Sequence, residues 1–228
     1  MSILQLKDIS KIFNQGRHNE FIAVDNVSVA IEAGKVTVLR GPSGSGKTTL
    51  LSLAGCMARP TSGRILFGDR ELTSLPERFL TEIRRAAFGF IFQQFNLVRG
   101  ITALENVMLP AYPLGGSHDE LKNRALELLD LFGIKARASS RSEWLSGGEA
   151  QRTAIARALI NNPGVVIADE PTAHLDTRLS REFMDIVDRL KAQGKTVIIA
   201  SHDPLVYEAS VIDRVVSMRD GRIEGAGA

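Results

Sequence analysis

The chain lacks several features that would have fixed its class at once. It has a single cysteine, Cys56, so no internal disulfide framework can hold it. Cys56 instead reads as a small buried apolar group near the first helix. The apolar runs are strand-sized, the best being Val197-Ile-Ile-Ala200, and none approaches the roughly 20 residues that span a bilayer as a helix. Neither sign of charge dominates: 28 basic side chains stand against 26 acidic ones, a formal net charge of +2. That balance gives no electrostatic case for a nucleic-acid partner or a membrane surface. The opening Met1-Ser-Ile-Leu-Gln-Leu-Lys-Asp8 alternates apolar with polar residues and lacks the apolar core of a secretory leader. Internal repeats, heptads and low-complexity tails are missing too. These absences predict a soluble, cytoplasmic protein.

What is present is ordinary globular material. The chain has 228 residues, 44% hydrophobic and 24% charged, enough for one sizeable core. Ile3–Leu6 and Ile22–Ile31 alternate apolar with polar or small residues, and Val27, Val29 and Ile31 share one face. That pattern predicts half-buried antiparallel strands joined through the polar loop Gln15–Glu20. Val36–Leu39 is a short buried-strand signal running into a glycine-rich loop. From about Asn96 to Ser146 the chain reads as helical and more polar, broken by Pro110, Pro113 and Gly115-Gly116, with Leu121, Leu128, Leu129 and Phe132 at helical spacing. Val165–Ala168 and Thr196–Ala200 are further buried-strand signals. Between them Leu179, Phe183, Ile186, Val187 and Leu190 make one helix face, which Gly194 ends. Strands alternating with helices predict an α/β fold with a mainly parallel sheet covered on both faces.

The chemistry begins with Gly41-Pro-Ser-Gly-Ser-Gly-Lys-Thr48, a complete phosphate loop followed by Thr49. Gly41, Gly44 and Gly46, with Ser43 and Ser45 between them, let backbone N–H groups turn inward around phosphate oxygens. The helix starting near Lys47 aims its positive dipole end at them. Lys47 neutralises phosphate charge, and the Thr48 hydroxyl can ligate Mg²⁺. A flexible glycine-rich turn is the plain alternative; it fits poorly between a buried strand and the apolar Leu50-Leu51-x-Leu53.

The stretch Val165-Val-Ile-Ala-Asp-Glu170 ends a strand on two carboxylates, at the edge where open α/β sheets bind ligands. Asp169 is expected to hold Mg²⁺, which keeps part of its water shell, and Glu170 to polarise the attacking water. Leu145-Ser-Gly-Gly-Glu-Ala-Gln-Arg152 supplies a hydroxyl from Ser146 and exposed amides from Gly147 and Gly148 at a helix start, a second anion site. Ala150, Ala154, Ile155, Ala158 and Leu159 give the following helix a small apolar face.

The Leu145–Arg152 stretch resembles the signature of ATP-binding cassette (ABC) proteins. Phe90-Ile-Phe-Gln-Gln-Phe-Asn-Leu97 resembles that family's Q-loop, with Gln93 the metal and water contact and Gln94 the alternative. Ile199-Ala-Ser-His-Asp203 resembles its switch segment, with His202 at a strand end. His18, His118 and His174 are read as solvated loop residues. Within the superfamily, Phe92-Gln-Gln-Phe-Asn-Leu97, Thr102-Ala-Leu-Glu-Asn-Val107 and Ala154-Ile-Ala-Arg-Ala158 are most similar to the MacB/LolD type.

The resemblance spans nearly the whole chain. It implies one nucleotide-binding domain over 1–228, a phosphate-loop (RecA-like) ATPase core with an N-terminal antiparallel β subdomain over about 1–95 and 160–228. A helical subdomain carrying the signature is inserted over about 96–159. It implies ATP and Mg²⁺ as cofactors, with Glu170, His202 and Gln93 as catalytic residues. Thr48, Gln93 and Asp169 are the metal contacts. It implies a homodimer on ATP binding, in which Ser146 and Gly148 close over the partner's nucleotide and Asp176 contacts the partner. Integral membrane permease subunits complete the machine, which puts the chain on the inner face of the cell membrane; no nucleic acid is expected. A cell-division ATPase of the FtsE type shares every catalytic motif. A soluble repair or translation ATPase would need modules this chain lacks, and the signature speaks against a small-molecule kinase.

Three positions depart from the pattern or leave it open. Pro171-Thr-Ala-His-Leu-Asp176 stands where the family usually has Pro-Thr-Gly-Asn-Leu-Asp. Trp144, directly before the signature, fits either packing or contact with a membrane subunit. Phe13 stands where the family places an aromatic on adenine, and equally suits an apolar strand end.

Overall fold

The computed structural model describes residues 1–173 and 175–225. Two sheets share the work. The first is antiparallel, built from β1 (Ser2–Phe13), β2 (Phe21–Glu32), β4 (Ser62–Phe67) and β5 (Arg70–Glu71) in the order β2-β1-β4-β5. β1 is twelve residues long, well beyond Ile3–Leu6. Its register slips near Asp8, which has φ 52°, so the sequence alternation breaks although the strand continues.

The second sheet has six strands in the order β10-β9-β3-β8-β7-β6. They are β3 (Val36–Arg40), β6 (Phe88–Ile91), β7 (Val165–Asp169), β8 (Thr196–Ser201), β9 (Arg214–Arg219) and β10 (Arg222–Ile223). All neighbours are parallel except β9 and β10. The central strands are buried on both faces, and their residues alternate between two cores. Val166, Ala168, Val197 and Ile199 face one; Val165, Ile167, Ile198 and Ala200 face the other. This is why those strands read as continuous apolar runs.

The helices divide between the same two cores. α1 (Lys47–Ala54) packs with the antiparallel sheet on one side. The other side holds α3 (Ala103–Met108), α4 (His118–Leu131), α5 (Gly147–Leu159) and α6 (Thr177–Ala192), with Phe183 1% exposed at its centre. α2 (Glu77–Ala87) and the short α7 (Pro204–Tyr207) complete the set.

The stretch from Asn96 to Ser146 is less helical than its polarity suggests. α3 and α4 are separated by a turn over Tyr112–Leu114, and the Ser142–Trp144 segment is one 3₁₀ turn. His118 lies in the first turn of α4 behind the Ser117 cap, not in a loop as read from sequence, although it is exposed. His174 lies outside the described residues. Ala150 is half-buried, while Ala154, Ile155 and Ala158 are buried as the spacing of that helix implied. Cys56 is buried just past α1, and burial pushes its thiol up to about 11. Among the described residues no helix is long and apolar enough to cross a membrane.

Candidate active site

Three adjacent parallel strands deliver the polar residues to one edge. β3 runs into the phosphate loop, β7 ends at Asp169 and Glu170, and β8 ends at Ser201 and His202. Pairing sets the depth: Arg40 lies opposite Ser201, and Asp169 opposite Ala200. The Glu170 N–H extends the ladder by donating to Ala200 O at 2.9 Å. Glu170 has φ 45°, sparsely allowed for a side chain of its size, and such backbone strain concentrates at working sites.

The phosphate loop is held tightly from below. A Cβ at Gly41 would strike the Met218 carbonyl, and one at Gly46, where φ is +96°, would strike the carbonyl of Ala23. Both glycines are therefore required by close backbone approach. Lys47 is 5% exposed, and its ammonium donates to Gly41 O at 2.7 Å and Pro42 O at 2.9 Å. Among the described residues the buried Ser45 hydroxyl has no hydrogen-bond partner.

A cavity of about 240 Å³ opens over the loop. Ser43, Gly44, Ser45, Gly46, Lys47, Thr48 and Thr49 form its floor, and Gln93, Glu170 and His202 form its walls. The Lys47 ammonium lies 3.4 Å from Glu170 Oε1. His202 Nδ1 lies 3.1 Å and 3.0 Å from the two Glu170 oxygens. Thr48 Oγ1 donates to Asp169 Oδ1 at 3.0 Å. Burial, reinforced by the neighbouring Glu170 charge, raises the Asp169 carboxyl above its usual range; the Thr48 bond and Lys47 offset part of this.

The cavity thus gathers a cation, a general-base candidate, a histidine and the whole glycine-rich loop, with a hydroxyl–carboxylate pair adjoining it at Thr48 and Asp169. A family model described as "ABC transporter" matches residues 24–173. The chain belongs to the ABC transporter family.

An uncharacterized ABC transporter ATP-binding protein of Thermotoga maritima is 42% identical over 98% of this chain and 94% of its own length. The macrolide export ATP-binding/permease protein MacB of Burkholderia pseudomallei is 42% identical over 98% of this chain. The chain spans only 34% of MacB, about a third of that protein. The dimeric ABC transporter cassette MJ0796 of Methanocaldococcus jannaschii matches with a TM-score of 0.89 at 38% identity, covering 97% of this chain and 96% of that one. The same cassette in a post-hydrolysis state bound to ADP and Pi matches equally well. The chain is thus an ABC ATPase cassette homologous to MacB-type and other ABC transporter ATP-binding proteins, and ATP hydrolysis is its activity.

The remaining ABC residues lie outside this cavity. Ser146 caps α5: its hydroxyl accepts from the Glu149 N–H at 3.4 Å, while the Ser146 N–H donates to Glu149 Oε2 at 2.8 Å. The backbone bond from Ser146, helped by the Arg137 guanidinium, holds Glu149 down at about 2. Gly147 is exposed, whereas Gly148 is buried against Leu179. Asp176 caps α6, accepting from the Leu179 N–H at 2.8 Å.

Two placements were not foreseen. Phe13 is exposed and stacks on Phe21 at 5.7 Å, and it is Phe21 that lines the cavity. Arg157 reaches from α5 to the carbonyls of Phe95 and Asn96, pinning the turn just past Gln93; Gln94 is exposed and does not line the cavity. Phe95 and Asn96 both have positive φ, which this guanidinium stabilises by taking up their carbonyls. Nothing in the sequence spacing announces that bond.

Proposed function

We propose that this chain hydrolyses Mg-ATP between two copies of itself and drives a MacB/LolD-type membrane permease from the inner face of the membrane. The observation that carries the catalytic part is the Glu170 carboxylate held between the Lys47 ammonium and His202. Phosphoryl transfer to water needs little covalent help, so positioned charge does most of the work. Lys47 turns from its loop carbonyls toward the β- and γ-phosphate oxygens, and the loop amides hold the rest of the triphosphate. Glu170, released from Lys47, orients water and accepts its proton. With Nδ1 on Glu170, the other ring nitrogen of His202 is left for the γ-phosphate, and Gln93 faces the same space.

The donor set suits a hard divalent cation. Thr48 Oγ1 and Asp169 Oδ1 adjoin, and the Asp169 carboxylate is starved of solvent. Thr48, Asp169 and Gln93 would hold Mg²⁺, which neutralises charge on the β- and γ-phosphates.

The second anion site at Ser146, Gly147 and Gly148 belongs, in this reading, to the partner's nucleotide, with Asp176 and the adjoining turn at the interface. The dimeric state of the similar MJ0796 cassette supports this. The helices over about 96–159 form the subdomain that carries the signature. The permease part named for MacB, together with the two thirds of MacB that this chain does not span, supports a membrane partner of that kind.

Glu170→Gln tests the chemistry. It keeps the shape and removes the base, so hydrolysis is expected to fall about 10²–10⁴-fold while Mg-ATP still binds. Phosphate release at the unaltered rate would assign the base elsewhere.

A further inference from the structure

Trp144, the chain's only tryptophan, is 73% exposed although it ends a 3₁₀ turn over Ser142–Trp144. The 3₁₀ turn that carries it is fixed on both sides. Ser142 Oγ donates to Val98 O at 2.9 Å, and Glu143 Oε1 accepts from the Gly100 N–H at 2.7 Å. Arg141 lies over the indole, 5.8 Å from the ring centre. A large apolar ring presented on a pinned turn has little conformational entropy left to lose on contact, the pattern of a binding anchor. Its exposure rules out the packing role.

Its position says what it meets. Only Leu145 separates Trp144 from Ser146, a span of at most about 7 Å. With Ser146 on the partner's γ-phosphate, as in the two-copy reading above, the exposed indole lies within reach of the rest of that nucleotide. On the nucleotide's own subunit, the side next to the phosphate loop offers the exposed pair Phe13 and Phe21, stacked at 5.7 Å with 10° between the rings. That pair can cover one face of a purine and leaves the other open.

We propose that Trp144 is a nucleoside contact acting across the dimer: its indole covers the base of the ATP held by the partner copy, with Arg141 beside it. This rests on the two-copy reading above. Base–aromatic stacking tolerates any purine, so Trp144 strengthens ATP-dependent closure and discriminates weakly between ATP and GTP.

The lone tryptophan makes the test direct. In the full chain carrying Glu170→Gln, solution mass and tryptophan emission are measured together during titration with Mg-ATP. Emission is expected to change in step with dimer formation. Adding Trp144→Ala should raise the ATP concentration for half-dimerisation about tenfold, and Trp144→Phe should restore most of that. With ribose triphosphate, which has no base, the chains with and without Trp144→Ala should respond alike. A dimer that forms without any emission change overturns the proposal, as does Trp144→Ala dimerising at the unaltered ATP concentration; either leaves the two-copy reading standing. A mass that never responds to Mg-ATP overturns that reading and the proposal with it.

Discussion

Lys47 and Glu170 meet across the sheet: the ammonium lies 3.4 Å from the carboxylate, although one opens the helix after β3 and the other follows β7. The strand order makes this possible, because β8 alone separates β3 from β7. The proposed phosphate-binding cation thus rests on the proposed base and on two loop carbonyls, all of which a triphosphate would have to replace.

Removing that cation isolates its contribution. Lys47→Ala is expected to lower Mg-ATP affinity about 10- to 100-fold, the worth of a charge-assisted hydrogen bond. Calorimetric titration would measure it. Unaltered affinity would mean that the backbone amides alone bind the phosphates.

The loop's shape is as constrained as its charge. Gly46→Ala places a methyl on the Ala23 carbonyl and forces an unfavourable φ, so both stability and nucleotide binding should fall. Gly44→Ala meets open space and bears only the cost of its φ of +78°, about 1–2 kcal/mol. Thermal melts of the two variants should rank Gly46→Ala as the more damaging.

A second charge cluster fixes the far end of the sheet. Asp213 takes the Val36 N–H at 2.8 Å, Lys191 at 2.9 Å and Lys35 at 3.1 Å. Burial pushes its carboxyl up, but Lys191, the Val36 N–H and Lys35 together outweigh that and bring it to about 2, below the ordinary 3.8. A depressed carboxylate contributes stability above its unfolded pKa and loses it as pH falls through the folded one. Asp213→Asn should therefore cost about 1–3 kcal/mol near neutrality, and the gap to the unaltered chain should close between about pH 4 and pH 2. Denaturant melts across that range would show it; a gap independent of pH would deny the charge its role.

How much of this was legible from sequence depends on how local the physics is. The phosphate loop and the Asp169-Glu170 strand end are contiguous, and each carries its own reason in neighbouring residues. The buried central strands were readable because burial on both faces leaves unbroken apolar runs. The alternation over Ile3–Leu6 stops short of the end of β1 because the bulge near Asp8 disturbs the period of two. α2 and β9 are flanked by charge and gave no signal that outlasted it; Leu80 is the only buried residue of α2. Arg157 on the Phe95 and Asn96 carbonyls, and Phe21 rather than Phe13 at the cavity, depend on how distant segments pack. No local pattern encodes those.

The central claim is that ATP joins two copies through the site at Gly41–Thr48 of one and the site at Ser146–Gly148 of the other. The most direct test is the solution mass of the full chain carrying Glu170→Gln, which is expected to bind ATP and hydrolyse it only slowly. With Mg-ATP it should be twice the 24.8 kDa of one chain, and with Mg-ADP, which lacks the group both sites hold, it should return to one. Adding Ser146→Arg should keep it at one in either nucleotide. A dimer indifferent to nucleotide, or one that persists with Ser146→Arg, would contradict the account.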